Sequence, residues 1–206
     1  MARGRGPVVH LDRSSKAKQI EAIVRHGMGA PVEDLDLLDI GCGNGEISRH
    51  FAKRNRVSSV DVVDQRNEVD PAIAFALVAD EVLPYADSSF DLVLSHHVIE
   101  HVDDQQRHLA EIRRVLRPGG WGYLATPNRS SPIMEGHVGN DQVLRWPEMV
   151  PMLEGAGYDV TPYGWRLVRH PDEFHGEVRQ GRFLPTPVVK ALARWYPSHV
   201  FMMHRT

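Results

Sequence analysis

The feature that most constrains the fold is an apolar run that ends in a turn with three glycines. Residues 36–46 read Asp-Leu-Leu-Asp-Ile-Gly-Cys-Gly-Asn-Gly-Glu, and a helical pattern follows. Glycines at alternate positions, Gly41, Gly43 and Gly45, let the backbone bend tightly and lie against a bulky ligand where a Cβ would clash. The turn also directs backbone N–H groups and a helix N-terminus at that ligand. Asp39 adds a carboxylate suited to an ammonium or ribose group.

Strand-like and helical patterns alternate along the chain as far as residue 126. The strands are predicted at about 35–40, 57–63, 73–79, 90–95 and 121–126. The helices are predicted at about 14–27, 45–54 and 104–116, the last capped by Asp103 or Asp104 and stopped by the Arg-Pro-Gly-Gly of 117–120. This alternation predicts an α/β fold with a parallel sheet covered on both faces.

Residues 127–147 break this pattern with several prolines and glycines, which predicts a long loop of the kind that often forms a functional lid. A helix is predicted from Pro147, a strand from Tyr158, a short helix over 187–196 and a final strand over 200–203. No assignment is made for 161–187.

Composition excludes several classes of protein. The chain has 206 residues, a net charge of −3 and a single cysteine, Cys42. The charge argues against a general nucleic-acid binder, and one cysteine cannot form a disulfide within the chain. The basic start is not followed by an apolar segment, and no run reaches transmembrane length. We therefore expect a cytoplasmic protein that does not bind membranes.

Polar residues follow each of the first four parallel strands. Asp61 comes 20 residues after Gly41, the separation at which an acidic side chain reaches a ribose diol, and Asp64 is the alternative. Asp80 follows the third strand, where a carboxylate suits an exocyclic adenine amine, and His96 ends the fourth. Because ligands of open parallel sheets lie outside the carboxyl ends of the strands, these signals converge on one edge.

With these residues in this order, the chain resembles the class I S-adenosylmethionine-dependent methyltransferases, in the type 11 or ubiquinone-biosynthesis-like branch. The segments that carry the resemblance are 37–45, 60–62, 79–85, 89–93, 98–102, 113–120 and 126–129. The resemblance implies a Rossmann-like, doubly wound, mostly parallel seven-stranded sheet with helices on both faces and a lid after the fifth strand. It also implies a single domain, with an arm and helix in 1–30, a cofactor-binding core in 35–129 and a lid and substrate region in 130–196.

The resemblance further implies that S-adenosylmethionine is the cofactor. The residues implied to bind it are Asp39, Gly41, Gly43, Gly45, Asp61, Asp80, Glu81 and His96. In this assignment Asp39 helps to hold the methionyl ammonium, Asp61 the ribose hydroxyls and His96 the sulfonium end. Asp80 and the backbone of Glu81 hold the adenine. No cluster of His, Asp or Glu has a spacing that calls for a metal.

A hydroxyl acceptor benefits from proton removal, and histidine is the usual agent near neutral pH. The candidates are His96, His97, His101 and His137. His137, on the predicted lid, is the preferred catalytic base and His97 the second choice. Structural roles remain open for all of them.

Two features bear on the acceptor, and both have ordinary alternatives. Residues 165–206 carry seven basic against three acidic residues, which suits an acidic acceptor or a solvated face. Several aromatic residues suit an aromatic acceptor pocket or the core: Trp146, Trp165, Phe174, Phe183 and Trp195.

The leading hypothesis is methylation of a small molecule, at oxygen, in a biosynthetic pathway. An RNA or protein methyltransferase and a non-catalytic S-adenosylmethionine-binding module are the alternatives. A nicotinamide-dependent enzyme is disfavoured because the glycines have the spacing G-x-G-x-G. The dinucleotide fingerprint G-x-G-x-x-G requires a glycine where this chain has Glu46. The sequence makes no prediction of oligomeric state.

Overall fold

The strands form a single sheet in this computed structural model, which describes residues 13–79, 82–131, 142–163, 185–196 and 198–206. The seven strands of these ranges are β1 Asp36–Ile40, β2 Arg56–Asp61, β3 Ala74–Leu77, β4 Phe90–His96, β5 Leu116–Pro127, β6 Tyr158–Tyr163 and β7 Ser198–Arg205. The helices are α1 Arg13–Met28, α2 Glu46–Phe51, α3 Gln105–Val115, α4 Trp146–Gly155 and α5 Thr186–Leu192, followed by a 3-10 turn at Ala193–Trp195.

The sheet has the order β3-β2-β1-β4-β5-β7-β6. β1 to β5 pair in parallel, whereas β7 lies between β5 and β6 and is antiparallel to both. The predicted mostly parallel seven-stranded sheet is confirmed, and its antiparallel strand β7 contains the segment predicted as a final strand over 200–203. The carboxyl ends of β1 to β5 and the start of β7 therefore share one edge of the sheet, which we call the carboxyl edge.

Alternating strand residues feed two cores, one on each face. Leu37 and Val200 pack in the core that includes residues of α1 and α2. Leu38 and Phe201, the next residues along, pack in the core that includes residues of α3 and α4. Because successive side chains of a strand point to opposite faces, the apolar runs of the sequence cover both faces of the sheet.

The boundaries differ from prediction mainly at β5. This strand begins at Leu116, which pairs with Phe90, and not at Trp121. The 117–120 segment ends α3 as predicted but forms an irregularity inside the strand, with Gly119 at φ 77°. The predicted cap of α3 is Asp104, whose side chain accepts from the Arg107 N–H. α2 is also shorter than expected, and β2 ends at Asp61.

The predicted lid falls largely outside the described residues, as do the preferred base His137 and the predicted adenine ligands Asp80 and Glu81. Within the described ranges, no helix combines the length and apolar character needed to cross a membrane.

Candidate functional site

The glycine turn between β1 and α2 requires its glycines. Gly41, Gly43 and Gly45 have φ of 67°, 52° and 73°, a left-handed region that disfavours residues with a Cβ. A Cβ on Gly41 would lie 2.5 Å from Cγ2 of Val98, in the segment after β4. A hydrogen bond to β2 holds the start of the turn, since the Gly41 N–H donates to the Val60 carbonyl at 2.8 Å. The predicted tight bend is therefore present at this turn, and Gly41 packs against Val98.

Asp61 is bonded directly to this turn. Its Oδ2 accepts from the Gly43 N–H at 2.8 Å, and its Oδ1 accepts from the Val63 N–H at 3.0 Å. A carboxylate has about four acceptor positions, so it retains capacity for hydroxyl donors. Asp64, the alternative, is exposed and accepts from the Arg66 N–H. The structure thus brings Asp61 to the turn and leaves Asp64 in solvent.

Asp39 lies in a buried chain of hydroxyl groups. Ser48 Oγ donates to Asp39 Oδ2 at 2.5 Å, and Ser59 Oγ donates to Ser48 Oγ at 2.8 Å. Burial raises the pKa of Asp39 to about 7, the charge of Asp61 adds to this, and the Ser48 hydrogen bond opposes it. A carboxyl group poised in this way ionises readily when a cation binds beside it.

Sequence reasoning did not find these two serines. Ser59 is the register partner of Asp39 on β2, and Ser48 lies on α2. The parallel register of β1 and β2 was the signal that could have found Ser59. Cys42, in the same turn, is buried, and burial followed by the charges of Asp39 and Asp61 raises the pKa of its thiol to about 12. This environment is that of a small packing residue and not of a reactive thiol.

An apolar surface flanks Asp61 at the carboxyl edge. Val62, Val63 and Leu77 have exposed fractions of 71%, 56% and 49%, and Leu77 is the register partner of Asp61 on β3. Large apolar side chains that are exposed together mark binding surfaces. A planar, weakly polar ring would cover this surface while a diol reaches the Asp61 carboxylate. The residues present therefore fit a nucleoside.

A second polar group lies beyond the glycine turn, at the ends of β4 and β5. His97 Nδ1 donates to Glu100 Oε1 at 3.0 Å, and Thr126 Oγ1 donates to Glu100 Oε2 at 3.0 Å. Glu100 is 2% exposed, whereas the His97 side chain is 35% exposed. Burial acts to raise the pKa of Glu100, but the His97 hydrogen bond, a backbone hydrogen bond, the charge of His97 and the Thr126 hydrogen bond together outweigh it, and the net shift is downward. Glu100 is thus an ionised acceptor that orients His97.

The backbone of His97 is itself in an uncommon conformation. His97 has φ 59°, and its N–H donates to the Ala125 carbonyl at 2.8 Å. Non-glycine residues rarely adopt this region, and such residues cluster at functional sites. Sequence reasoning named His97 but missed Glu100 and Thr126 as its partners.

The other candidate histidines of the described chain have different surroundings. His96 stacks on Tyr123 with ring centroids 6.1 Å apart and meets the edge of His97 at 4.5 Å. His101 is exposed. Among the residues that the structure describes, no group of three or more His, Cys, Asp or Glu side chains is arranged to hold a metal ion.

The aromatic and basic residues predicted to contact an acceptor have different surroundings in the structure. Trp146 stacks on Phe201 with centroids 5.4 Å apart, and Trp195 is 44% exposed. Arg205 donates to the Arg113 and Leu116 carbonyls, so this basic residue stabilises the end of α3. Trp165, Phe174 and Phe183 lie outside the described residues.

The sheet order, the glycine turn and the Asp61 carboxylate define a nucleoside-binding α/β protein. Residues 38–124 match a protein family described as "Methyltransferase domain". A ubiquinone biosynthesis O-methyltransferase of Cereibacter sphaeroides is 31% identical over 180 residues, which cover 82% of this chain and 68% of that protein. A protein of the same name from Parvibaculum lavamentivorans is 36% identical over 129 residues, 56% of this chain and 50% of the relative.

A solved structure extends the comparison to the fold. The 1,6-didemethyltoxoflavin-N1-methyltransferase of Burkholderia thailandensis, with 1,6-didemethyltoxoflavin and S-adenosylhomocysteine bound, has a TM-score of 0.62 at 17% identity. The similarity covers 97% of this chain and 81% of that one. The chain therefore belongs to the class I S-adenosylmethionine-dependent methyltransferases of the type 11 kind, and its cofactor is S-adenosylmethionine. It spans about half the length of the Parvibaculum relative.

Proposed function

We propose that the protein transfers the methyl group of S-adenosylmethionine to a hydroxyl group of a small organic acceptor, with His97 as general base. The observation that carries this proposal is the 3.0 Å hydrogen bond between His97 Nδ1 and the buried Glu100 carboxylate. Because Nδ1 donates to the carboxylate, Nε2 of the neutral ring is left as a proton acceptor. The partly exposed ring leaves His97 within reach of an acceptor.

Each residue of the site has a separate role in this mechanism. Bound S-adenosylmethionine supplies an activated methyl group and an excellent leaving group. The glycine turn and Asp61 align it, so that much of the barrier is lowered by positioning. His97 removes the proton of the acceptor hydroxyl, and Glu100 stabilises the resulting imidazolium. Thr126 donates a hydrogen bond to the second oxygen of Glu100 and keeps the carboxylate in place.

The position of His97 relative to the cofactor cradle also supports this role. Val98, the residue after His97, approaches Gly41 so closely that a Cβ there would clash with it. The proposed base therefore directly precedes the residue that packs against the glycine turn. The O-methyltransferase names of the relatives support oxygen as the methylated atom, whereas the fold alone does not, since the Burkholderia enzyme is named for methylation at N1.

The test is methyl transfer from isotopically labelled S-adenosylmethionine to a panel of hydroxylated aromatic compounds, with the product identified by NMR. We expect an O-methylated product from the wild type. His97→Gln removes the proton acceptor and should lower kcat about 10²- to 10⁴-fold, the usual contribution of general base catalysis. Its affinity for S-adenosylhomocysteine, measured by calorimetry, should stay close to that of the wild type.

His101→Gln is the matched control, because His101 is an exposed histidine of the same segment and should tolerate the change. His137→Gln tests the alternative base. A kcat that is lost in His137→Gln but kept in His97→Gln would transfer the role to His137. N-methylated products alone would contradict hydroxyl methylation.

A further inference from the structure

His199 lies near the proposed base, although it belongs to a strand far along the chain. β7 is antiparallel to β5, so its first residues reach the carboxyl edge where β4 and β5 end. In the register of these strands, His199 is directly opposite Thr126. Directly opposite residues share one face of a sheet, with Cβ atoms about 4.5–5.5 Å apart. His199 therefore neighbours the hydroxyl that donates to Glu100.

The imidazole of His199 is buried and forms no close hydrogen bond with the residues that the structure describes. It is 1% exposed, and within the part of the chain that the structure describes neither Nδ1 nor Nε2 forms a hydrogen bond. Burial lowers the pKa of His199 to about 4, with the Leu144 backbone opposing, so the ring is neutral at pH 7. A neutral imidazole has one donor and one acceptor, and buried polar groups are nearly always paired. The Leu144 backbone acts on the ring without forming a close hydrogen bond, so at least one ring nitrogen has unused capacity.

Aromatic packing holds His199 in this position. The ring lies 5.4 Å from Trp146 and 6.1 Å from Phe201, centroid to centroid. His108 provides a comparison, because it is also buried and burial lowers its pKa to about 4. His108 Nε2, however, forms a hydrogen bond with Ser95 Oγ at 3.1 Å. One buried histidine near Glu100 is therefore satisfied within the fold, and the other is not.

We propose that His199 binds the methyl acceptor, by a hydrogen bond to an oxygen substituent other than the hydroxyl that receives the methyl group. The inference rests on the proposed function, in which His97 takes the reacting hydroxyl. Since Glu100 and Thr126 separate the two histidines, an acceptor that reaches both carries at least two oxygen substituents. His199 then discriminates against acceptors that lack the second oxygen, because these leave its ring unpaired.

The first test is steady-state kinetics with dihydroxybenzenes and dihydroxybenzoates, each paired with its monohydroxy analogue. The wild type should prefer the dihydroxy member of a pair. His199→Leu should raise the KM of that member about tenfold, the loss expected for one hydrogen bond, and leave the monohydroxy analogue nearly unchanged. His199→Gln keeps a donor and an acceptor and should recover part of the preference. Affinity for S-adenosylhomocysteine should not change in either variant.

The second test separates binding from packing through stability. Leu is apolar and of similar size, so His199→Leu removes unpaired buried nitrogens and should keep or raise the Tm of the ligand-free protein. His108→Leu is the matched control, and it should lower the Tm because it leaves the Ser95 hydroxyl unpaired. A lowered Tm together with an unchanged KM in His199→Leu would overturn the proposal and assign His199 to packing.

The experiments distinguish failure of the proposed function from failure of the proposed role of His199. A wild type that binds S-adenosylhomocysteine but methylates no compound of the panel would overturn both proposals. A wild type that methylates dihydroxy and monohydroxy acceptors with equal KM, unaffected by His199→Leu, would overturn the role of His199 alone.

Discussion

Asp61 combines two tasks in one carboxylate. Its two oxygens already accept from the Gly43 and Val63 N–H groups, so it fixes the backbone of the glycine turn before any ligand is present. The same oxygens retain acceptor capacity toward solvent, where a ribose diol would lie. A substitution at this residue therefore affects both the shape of the turn and the contact with the ligand.

We expect Asp61→Ala to weaken binding of S-adenosylhomocysteine by about 1–3 kcal/mol, the cost of leaving polar partners unpaired. Asp64→Ala should leave the affinity unchanged, since Asp64 is exposed and pairs locally with Arg66. Isothermal titration calorimetry of the two variants measures the difference. Equal affinities in the two variants would contradict the assignment of Asp61 to the ribose.

Residues that act through local sequence could be predicted, and residues that act through register could not. Asp39 and Asp61 directly flank turns, so their positions follow from the strands that precede them. Thr126 meets Glu100, and His199 meets Thr126, only because β4, β5 and β7 pair as they do. That pairing depends on interactions between distant segments, about which local periodicity carries no information.

At the level of elements, the glycine turn is the most sensitive junction of the cofactor site. Gly41→Ala places a Cβ both in a left-handed conformation and against Cγ2 of Val98. We expect a loss of about 1–2 kcal/mol of folding free energy from the backbone and about 1–3 kcal/mol from overpacking. Urea unfolding measures this loss, and calorimetry should show weaker S-adenosylhomocysteine binding.

Gly119→Ala isolates the backbone contribution, because Gly119 also has a positive φ but a Cβ there would meet no atom within 4 Å. The double variant Gly41→Ala with Val98→Ala should recover part of the overpacking loss. If Gly41→Ala destabilised the fold no more than Gly119→Ala, the contact with Val98 would be irrelevant.

The start of β5 shows why element boundaries were harder to predict than the elements. The Arg-Pro-Gly-Gly sequence correctly indicated the end of α3, but it was also interpreted as a break before the strand. Leu116 nevertheless pairs with Phe90, and the strand continues beyond the irregularity to pair Trp121 with Leu92. Pairing with β4 before and after the irregularity keeps this segment within the strand, although its own residues prefer a turn.

At the level of the whole molecule, Asp39 should make folding stability depend on pH. Its pKa rises from 3.8 to about 7 on folding. Between these values the folded state retains a proton that the unfolded state has lost, so stability falls as the pH rises from about 4 to 7. Asp39→Asn still accepts from Ser48 but does not ionise, and it should lack this component.

Urea unfolding of wild type and Asp39→Asn from pH 5 to pH 8 measures this component. The stability of the wild type should decrease relative to the variant as the pH rises, by a few kcal/mol in total. Saturating S-adenosylhomocysteine, whose ammonium favours the ionised carboxylate, should reduce the decrease. A difference that is constant with pH would show that Asp39 is ionised throughout.

The order of strands in the sheet has a consequence for how this molecule forms during synthesis. β7 is translated after β6, yet it lies between β5 and β6 and is their common partner in the sheet. A nascent chain that has completed β1 to β5 can assemble the glycine turn and Asp61, whereas His199 joins Thr126 only when β7 inserts. Contacts between such distant segments form slowly. We therefore expect the glycine turn and Asp61, proposed to hold the cofactor, to form during synthesis before the part proposed to select the acceptor.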